Sequence, residues 1–280
     1  MGESGGDCKL GNPAGEPDGS GVDCAICFEG IAERATLPCE CKMDYCLRCW
    51  DRSLAESFRN SREARCPTCR MPVRVDLDPQ AGRLVFSRAV ESDAESDVER
   101  LAQQAMPLQV RLLERYGERH AVLQEIAEGR LPDVSAAELR EHIEAFGGGC
   151  QGGVTEKAEL VERLRAAAGS WTAVACRWAS LSADAPRCVC GSSMERVGAV
   201  DRFRRYLEMS GMPQSFHEVQ LGDAIESGEI GIICDICETQ VRTTQFLWSC
   251  QSGESTILHA TSYDVCDTCF SQHALGIASA

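Results

Sequence analysis

Residues 24–69 carry the pattern that decides the fold, running from Cys24-Ala25-Ile26-Cys27 to Cys66-Pro67-Thr68-Cys69. The full spacing is Cys24-x2-Cys27-x11-Cys39-x-Cys41-x4-Cys46-x2-Cys49-x16-Cys66-x2-Cys69. Thiolates are soft ligands, and four of them fill the tetrahedral shell of a structural Zn²⁺. Eight thiolates can therefore hold two zinc ions, whose binding replaces much of the hydrophobic core that so short a segment lacks.

The order of the pairs suggests how two metals would share them. If the first and third pairs bind one zinc, its ligands are Cys24, Cys27, Cys46 and Cys49. The second and fourth pairs then bind the other, through Cys39, Cys41, Cys66 and Cys69. The chain would be cross-braced, because each metal joins both halves of the segment. Asp44 is an alternative oxygen ligand, although a structural zinc site favours thiolate.

This segment, taken as residues 20–75, resembles a RING finger. The family usually has histidine as its fourth ligand, where this chain has Cys41, and the gap from there to Cys46 is longer than in the common form. The resemblance implies a cross-braced α+β module with two structural zincs. It also implies a ubiquitin ligase, a protein that recruits a ubiquitin-conjugating enzyme and promotes transfer of ubiquitin to a substrate.

The resemblance extends to residues that bind no metal. RING ligases hold the conjugating enzyme in an apolar groove with Ile in the first pair and Pro in the last, matched here by Ile26 and Pro67. Trp50 and Leu54, on a helix expected after Cys49, would form the third side of the groove. Arg70 matches the position that bridges enzyme and ubiquitin, a role that suits the rigid fork of a guanidinium. The alternative role of Ile26 and Pro67 is local packing and turn formation.

Composition limits the remaining classes of function. The chain has 280 residues, 18 cysteines and a net charge of −15. Cysteines in C-x2-C pairs, with no apolar signal or membrane segment, favour metal sites in the cytoplasm or nucleus over a secreted disulfide framework. DNA is not expected as a partner, because neutralising phosphates requires a basic surface.

Between the cysteine clusters the sequence predicts mostly helix. Residues 1–19 are expected to form a disordered tail and residues 76–97 a linker, with a short hairpin possible over 73–86. Residues 98–130 show helical periodicity, with Pro107 expected to begin a second helix. Residues 131–168 resemble a SAP-type helical hairpin, carried by Ala137-Glu138-Leu139 and Lys157-Ala158-Glu159-Leu160-Val161. SAP hairpins often bind DNA, but here the acidic residues are at least as many as the basic ones, so protein docking or a structural role is favoured.

The last third of the chain, residues 185–275, carries a second set of metal ligands. Cys234, Cys237, Cys266 and Cys269 form two C-x2-C pairs and predict a four-cysteine zinc site. The run Tyr263-Asp264-Val265-Cys266 resembles the Tyr-Asp-Leu-Cys signature of ZZ-type zinc fingers, which bind short peptides and N-terminal tails. A further zinc could draw its ligands from Cys188, Cys190, Cys250, His259 and His273. Folding back of Cys188 and Cys190 would complete that site with Cys250 and His259, although a structural role explains His259 equally well.

These observations predict small zinc-stabilised α+β modules, RING-like and ZZ-like, joined by a mostly α-helical middle region. The expected function is ubiquitin ligation, with a conjugating enzyme, ubiquitin and a protein substrate as partners. The sequence offers no nucleophile or phosphate-binding loop, and a RING ligase needs none because it acts by positioning its partners. The alternative is a non-catalytic zinc adaptor for protein or chromatin interactions.

Overall fold

A computed structural model of the protein describes residues 22–78, 80, 82–89, 97–120, 125, 130, 134–145, 156–168, 171–181, 184–259 and 262–277. We refer to residues 22–89 as the N-terminal module and to residues 184–277 as the C-terminal module. The elements follow in chain order, and a 3₁₀ turn over Ile257–His259 precedes the last strand. They are α1 (Leu47–Ser61), β1 (Val73–Asp78), β2 (Arg83–Arg88), α2 (Asp97–Arg119), α3 (Ala136–Ala145), α4 (Lys157–Ala168), α5 (Trp171–Leu181), β3 (Met194–Gly198), α6 (Ala199–Met209), α7 (Gln214–Ser227), β4 (Glu229–Ile233), β5 (Gln240–Arg242), β6 (Phe246–Cys250), β7 (Asp264–Cys266) and α8 (Asp267–Leu275).

Helix α1 supplies the centre of the N-terminal module. Trp50, Leu54 and Phe58 recur every four residues, so they share one face, and that face is buried. The Trp50 ring packs against Tyr45, with centroids 5.5 Å apart, and meets the edge of Phe86 at 6.0 Å. The expected helix after Cys49 is present, but its apolar side faces inward.

An antiparallel hairpin of β1 and β2 closes this module. Its register runs from Val73 opposite Arg88 to Asp78 opposite Arg83. Val73, Val75 and Leu77 point to the core, as the two-residue period of a strand requires. Residues 76–97 are therefore not simply a linker, because the described part of that range contains most of a hairpin that packs on α1 and α2.

Helix α2 joins the two modules. Leu101 and Ala105 are buried in the core of the N-terminal module, whereas Leu113 and Tyr116 are buried in that of the C-terminal module. The prediction that Pro107 begins a separate helix is wrong, since α2 runs through it. An internal proline lacks one N–H and costs about 3 kcal/mol of helix stability, and burial of side chains on both sides of it compensates.

Helices α3 and α4 form the predicted helical pair and pack with α5 on the C-terminal module. A capping box stabilises the start of α3: Ser135 N–H donates to Glu138 Oε2 at 2.7 Å, and Glu138 N–H donates to Ser135 Oγ at 3.2 Å. Leu139, Ile143 and Leu160 are buried in one apolar cluster. Residues 146–155 between the two helices, like the predicted tail over 1–19, lie outside the described residues.

The C-terminal module is built on a three-stranded antiparallel sheet in the order β3-β6-β7, beside a two-stranded sheet of β4 and β5. Trp248 of β6 stacks on Phe270 of α8, with ring centroids 4.2 Å apart. Arg202 of α6 is buried against β7, where its guanidinium donates to both carboxylate oxygens of Asp264, at 3.0 and 3.1 Å. This bidentate pair fixes α6 over the strand that carries Cys266.

Candidate metal centre

Four groups of cysteine and histidine side chains converge in the described part of the chain. In each group the four ligand atoms all lie within 4.8 Å of one another. Individual sulfur–sulfur distances are 3.7 Å for Cys39–Cys66, 3.5 Å for Cys190–Cys250 and 3.9 Å for Cys237–Cys266. A disulfide needs about 2.05 Å, whereas Zn–S bonds of about 2.3 Å place the corners of a tetrahedron roughly 3.8 Å apart. The donors therefore fit zinc, in cluster 1 (Cys24, Cys27, Cys46, Cys49), cluster 2 (Cys39, Cys41, Cys66, Cys69), cluster 3 (Cys188, Cys190, Cys250, His259) and cluster 4 (Cys234, Cys237, Cys266, Cys269).

Three of the C-x2-C segments fold into the same backbone turn. After Cys24, Cys66 and Cys234, the N–H four residues later donates to the cysteine carbonyl at 2.9 Å. The residue at that fourth position has positive φ in each case: 60° at Phe28, 62° at Arg70 and 57° at Glu238. Non-glycine residues rarely adopt this conformation. Its repetition at three such pairs indicates that the ligand turn, and not the individual side chain, imposes it.

Both modules interleave their ligands. Cluster 1 takes the first and third cysteine pairs of its module and cluster 2 takes the second and fourth. The C-terminal module repeats this order, because the ligands of cluster 3 (188/190 and 250/259) alternate along the chain with those of cluster 4 (234/237 and 266/269). Cys250 ends β6 and Cys266 pairs with Leu247 near its start. The two clusters therefore occupy opposite ends of the sheet, about 10 Å apart along the strand.

Membership of cluster 3 explains why His259 is buried without a hydrogen-bond partner for its ring nitrogens. His259 is 4% exposed, and neither ring nitrogen has a hydrogen-bond partner among the described residues. Burial disfavours its protonation, but the nearby thiolates of Cys190 and Cys250 outweigh this effect and raise its pKa to about 10. A metal bound between these side chains would displace that proton and satisfy one of the orphaned nitrogens. His273, the other candidate, lies outside all four clusters.

Two residues from outside the C-terminal module hold cluster 3 in place. Asp51 of α1 accepts a hydrogen bond from Ile257 N–H at 2.7 Å, at the start of the turn that carries His259. Gln109 of α2 is fully buried, donates to the Arg187 carbonyl at 3.0 Å and accepts from Val189 N–H at 3.0 Å. The loop with Cys188 and Cys190 is thus fixed by α2, and the turn with His259 is fixed by α1.

Electrostatics of the N-terminal clusters favour a divalent cation. Burial raises the pKa of Cys24, but hydrogen bonds from backbone N–H groups, foremost that of Cys27, lower it to about 6. The Met71 backbone N–H likewise lowers the pKa of Cys69 to about 7. Hydrogen bonding to Cys69 and the other cluster 2 thiols raises the pKa of Cys41 to about 12. Each cluster thus has one cysteine that ionises readily, Cys24 or Cys69, and a bound cation would stabilise the thiolates of the remaining ligands.

The residues expected to contact a partner fall into two groups. Trp50 and Leu54 have no exposed surface, so the expectation that they form a third side of a groove is wrong, since both are committed to the core. Ile26 is 39% exposed, Pro67 is half-buried and Arg70 is exposed. Their turns are tied to adjacent residues: Ala25 N–H donates to the Asp44 carbonyl at 2.8 Å, and the Tyr45 and Thr68 hydroxyls are hydrogen-bonded.

The remaining observations are negative. Among the described residues, no helix combines the length and apolar character needed to cross a bilayer. Comparisons with protein-family models, curated proteins and solved structures found no match for the chain.

Proposed function

We propose that the protein is a RING-type ubiquitin ligase. The observation that carries the proposal is the exposure of Ile26 and Arg70 on ligand turns of two different clusters, both joined by hydrogen bonds to the segment of Asp44 and Tyr45. The Arg70 side chain forms no hydrogen bond or ion pair with any described residue, although its backbone is fixed at both ends of the turn. An arginine held out from a rigid turn without an internal partner is suited to an intermolecular contact.

Catalysis in this proposal is by positioning. The ligand sets of clusters 1 and 2 each contain four thiols, so bound zinc would have a complete shell and serve a structural role. Ile26 and Pro67 would contact the conjugating enzyme through apolar surface. The Arg70 guanidinium would donate to enzyme and ubiquitin together, restraining the thioester in a geometry open to attack. The nucleophile would be the substrate amine.

A discharge assay tests the proposal. Full-length, zinc-loaded protein is mixed with a panel of ubiquitin-charged conjugating enzymes and free lysine, and loss of the thioester is followed with time. At least one enzyme should discharge faster with the protein present than without it. Uniform absence of stimulation, with the protein folded and metal-loaded, would leave the ligase proposal without support.

The second candidate is a zinc adaptor with no transfer activity. The burial of Trp50 and Leu54 favours it, because any conjugating enzyme would contact a smaller apolar surface than the family resemblance implies. Under this alternative some conjugating enzymes could bind weakly, but none would be stimulated. Binding without discharge in the same assay distinguishes the adaptor from the ligase.

A further inference from the structure

A groove lined by three arginines opens where α2 meets the loop of cluster 3. Its volume is about 540 Å³, and Arg111, Arg115 and Arg187 line it together with Leu108, Leu112 and Val189. No acidic side chain is among its described lining residues. This is unexpected in a chain with 43 acidic and 28 basic residues.

The three arginines line the same groove because the two elements that carry them are held together by hydrogen bonds. Leu108, Arg111, Leu112 and Arg115 lie at i, i+3, i+4 and i+7, so they form one stripe of α2. Arg187 lies on the loop of cluster 3, and its own backbone carbonyl accepts a hydrogen bond from the buried Gln109 at 3.0 Å. The position of Arg187 relative to α2 is therefore set by the fold.

The positive charge of the groove is not neutralised internally. Within the described part of the chain, Arg111 and Arg115 take part in no ion pair, and Arg187 reaches only the Gly191 carbonyl, at 3.5 Å. An adjoining depression shares Arg115 and Arg187 and extends towards Glu118 and Arg119. Arg119 is paired there with Asp184 at 3.0 Å. The unpaired charge is thus concentrated at the end nearest cluster 3.

We propose that this groove binds a phosphorylated peptide segment, with the phosphate among the three guanidinium groups and a neighbouring apolar side chain on Leu108, Leu112 and Val189. Guanidinium groups donate in pairs to phosphate oxygens, and a phosphate near charge −2 complements several of them better than a carboxylate does. The apolar floor favours a peptide over a free anion. A long polyanion is disfavoured because the whole chain carries −15.

This site is independent of ubiquitin transfer. An adaptor would use it to hold a phosphorylated partner, and a ligase would use it to select a phosphorylated substrate. A failure of the discharge assay therefore leaves the binding proposal untouched, and the reverse also holds.

Fluorescence anisotropy with full-length, zinc-loaded protein tests the proposal. The probes are fluorescein-labelled nine-residue peptides with a central phosphoserine flanked by leucine and alanine, and the same peptides with serine or glutamate at the centre. Phosphorylation should tighten binding at least tenfold over serine. Arg115→Gln and Arg187→Gln should each weaken it by about tenfold or more, as expected for loss of a charge-assisted contact.

The matched control is Arg204→Gln, since Arg204 is an exposed arginine of α6 that is paired with Asp201 and lies outside the groove. It should leave peptide affinity unchanged. Equal binding of phosphoserine, serine and glutamate peptides would overturn the proposal. So would wild-type affinity of both groove variants, or a single-stranded RNA oligomer that binds more tightly than every phosphopeptide.

Discussion

The Asp51 carboxylate accepts a hydrogen bond from Ile257 N–H across a sequence separation of 206 residues. It links the first helix of the N-terminal module to the turn that places His259 in cluster 3. Ile257 and Leu258 of that turn are buried in the core of the N-terminal module. A ligand set of the C-terminal module is therefore completed with help from the other end of the chain.

The first prediction is that Asp51→Ala loosens the metal at cluster 3. Removing a group that orients a metal-binding residue commonly lowers metal affinity by about 10- to 100-fold. Cobalt substitution distinguishes cluster 3, with three sulfurs and one nitrogen, from the all-sulfur clusters by its absorption. Chelator should remove that component faster in the variant than in the wild type.

Asp51→Asn is the control for this prediction, because the amide keeps an oxygen that can accept from Ile257 N–H. It should retain the metal nearly as well as the wild type. Equal cobalt release from all three proteins would show that the hydrogen bond does not support the cluster.

The second prediction concerns metal content and folding. The full chain should contain four zinc ions by elemental analysis, one for each cluster. Structural zinc contributes on the order of 10 kcal/mol to the folding of small modules. Cys24→Ala should therefore unfold the N-terminal module, seen as lost amide dispersion in an NMR spectrum. A dispersed spectrum from this variant, or two zincs or fewer per chain, would contradict the prediction.

The third prediction isolates the side chain of Arg70. Its φ of 62° would strain alanine, so asparagine, which tolerates this conformation, is the better replacement. Arg70→Asn should keep the zinc content but slow ubiquitin discharge about ten- to a hundredfold, as loss of a charge-assisted contact of about 1.5–3 kcal/mol requires. Raising the concentration of conjugating enzyme should not restore the rate, since the defect follows docking.

Two further variants serve as controls for the Arg70 experiment. Glu238→Asn alters the equivalent position of a C-terminal ligand turn, with φ of 57°, and should discharge ubiquitin at the wild-type rate. Ile26→Ala should slow discharge in a way that excess conjugating enzyme partly reverses, because it weakens docking. A wild-type rate for Arg70→Asn in an assay where the wild type is active would remove the bridging role.

The fourth prediction concerns the buried pair of Arg202 and Asp264. Asp264→Leu leaves the guanidinium buried without a countercharge and should destabilise the protein by about 3–5 kcal/mol. Adding Arg202→Met should recover much of that loss, because it removes the isolated charge. Thermal unfolding of the C-terminal module would show this ordering. A double variant less stable than Asp264→Leu would contradict it.

Sequence alone was most informative where chemistry is local. Spacing predicted clusters 1 and 2 because C-x2-C pairs must form tight turns, and the Ser135–Glu138 capping box is likewise a contact between near neighbours. It also pointed to Cys250 and His259 as partners of Cys188 and Cys190. Sequence could not decide between a ligand role and a purely structural role for His259, since that depends on where β6 ends and how the chain returns towards Cys188 and Cys190.

The predictions for Trp50, Leu54 and Pro107 were wrong because contacts with residues distant in sequence outweighed the local sequence pattern. Trp50 and Leu54 fit an exposed groove as well as they fit a core, and the packing of Tyr45, Phe86 and Ile257 into the same core decides between the two. Pro107 is a sound signal for a helix start, but both modules bury side chains along α2 and keep it continuous. Helices α5, α6 and α7 are not among the predicted elements, although in α6 Ala199, Phe203 and Leu207 recur every four residues and form an apolar face that the sequence already shows.

The hydrogen bond between Asp51 and Ile257 also has a consequence for synthesis on the ribosome. Clusters 1 and 2 have all their ligands once residue 69 has been made, but the turn that covers α1 is complete only at residue 259, another 190 residues later. Translation adds roughly 5–20 residues per second. The surface of the nascent N-terminal module that Ile257 and Leu258 later cover therefore stays exposed for about 10–40 s. That interval is long enough for chaperones to bind the emerging chain. A truncation before residue 259 would leave this surface of the N-terminal module exposed and would destabilise the module, although the module itself is made first.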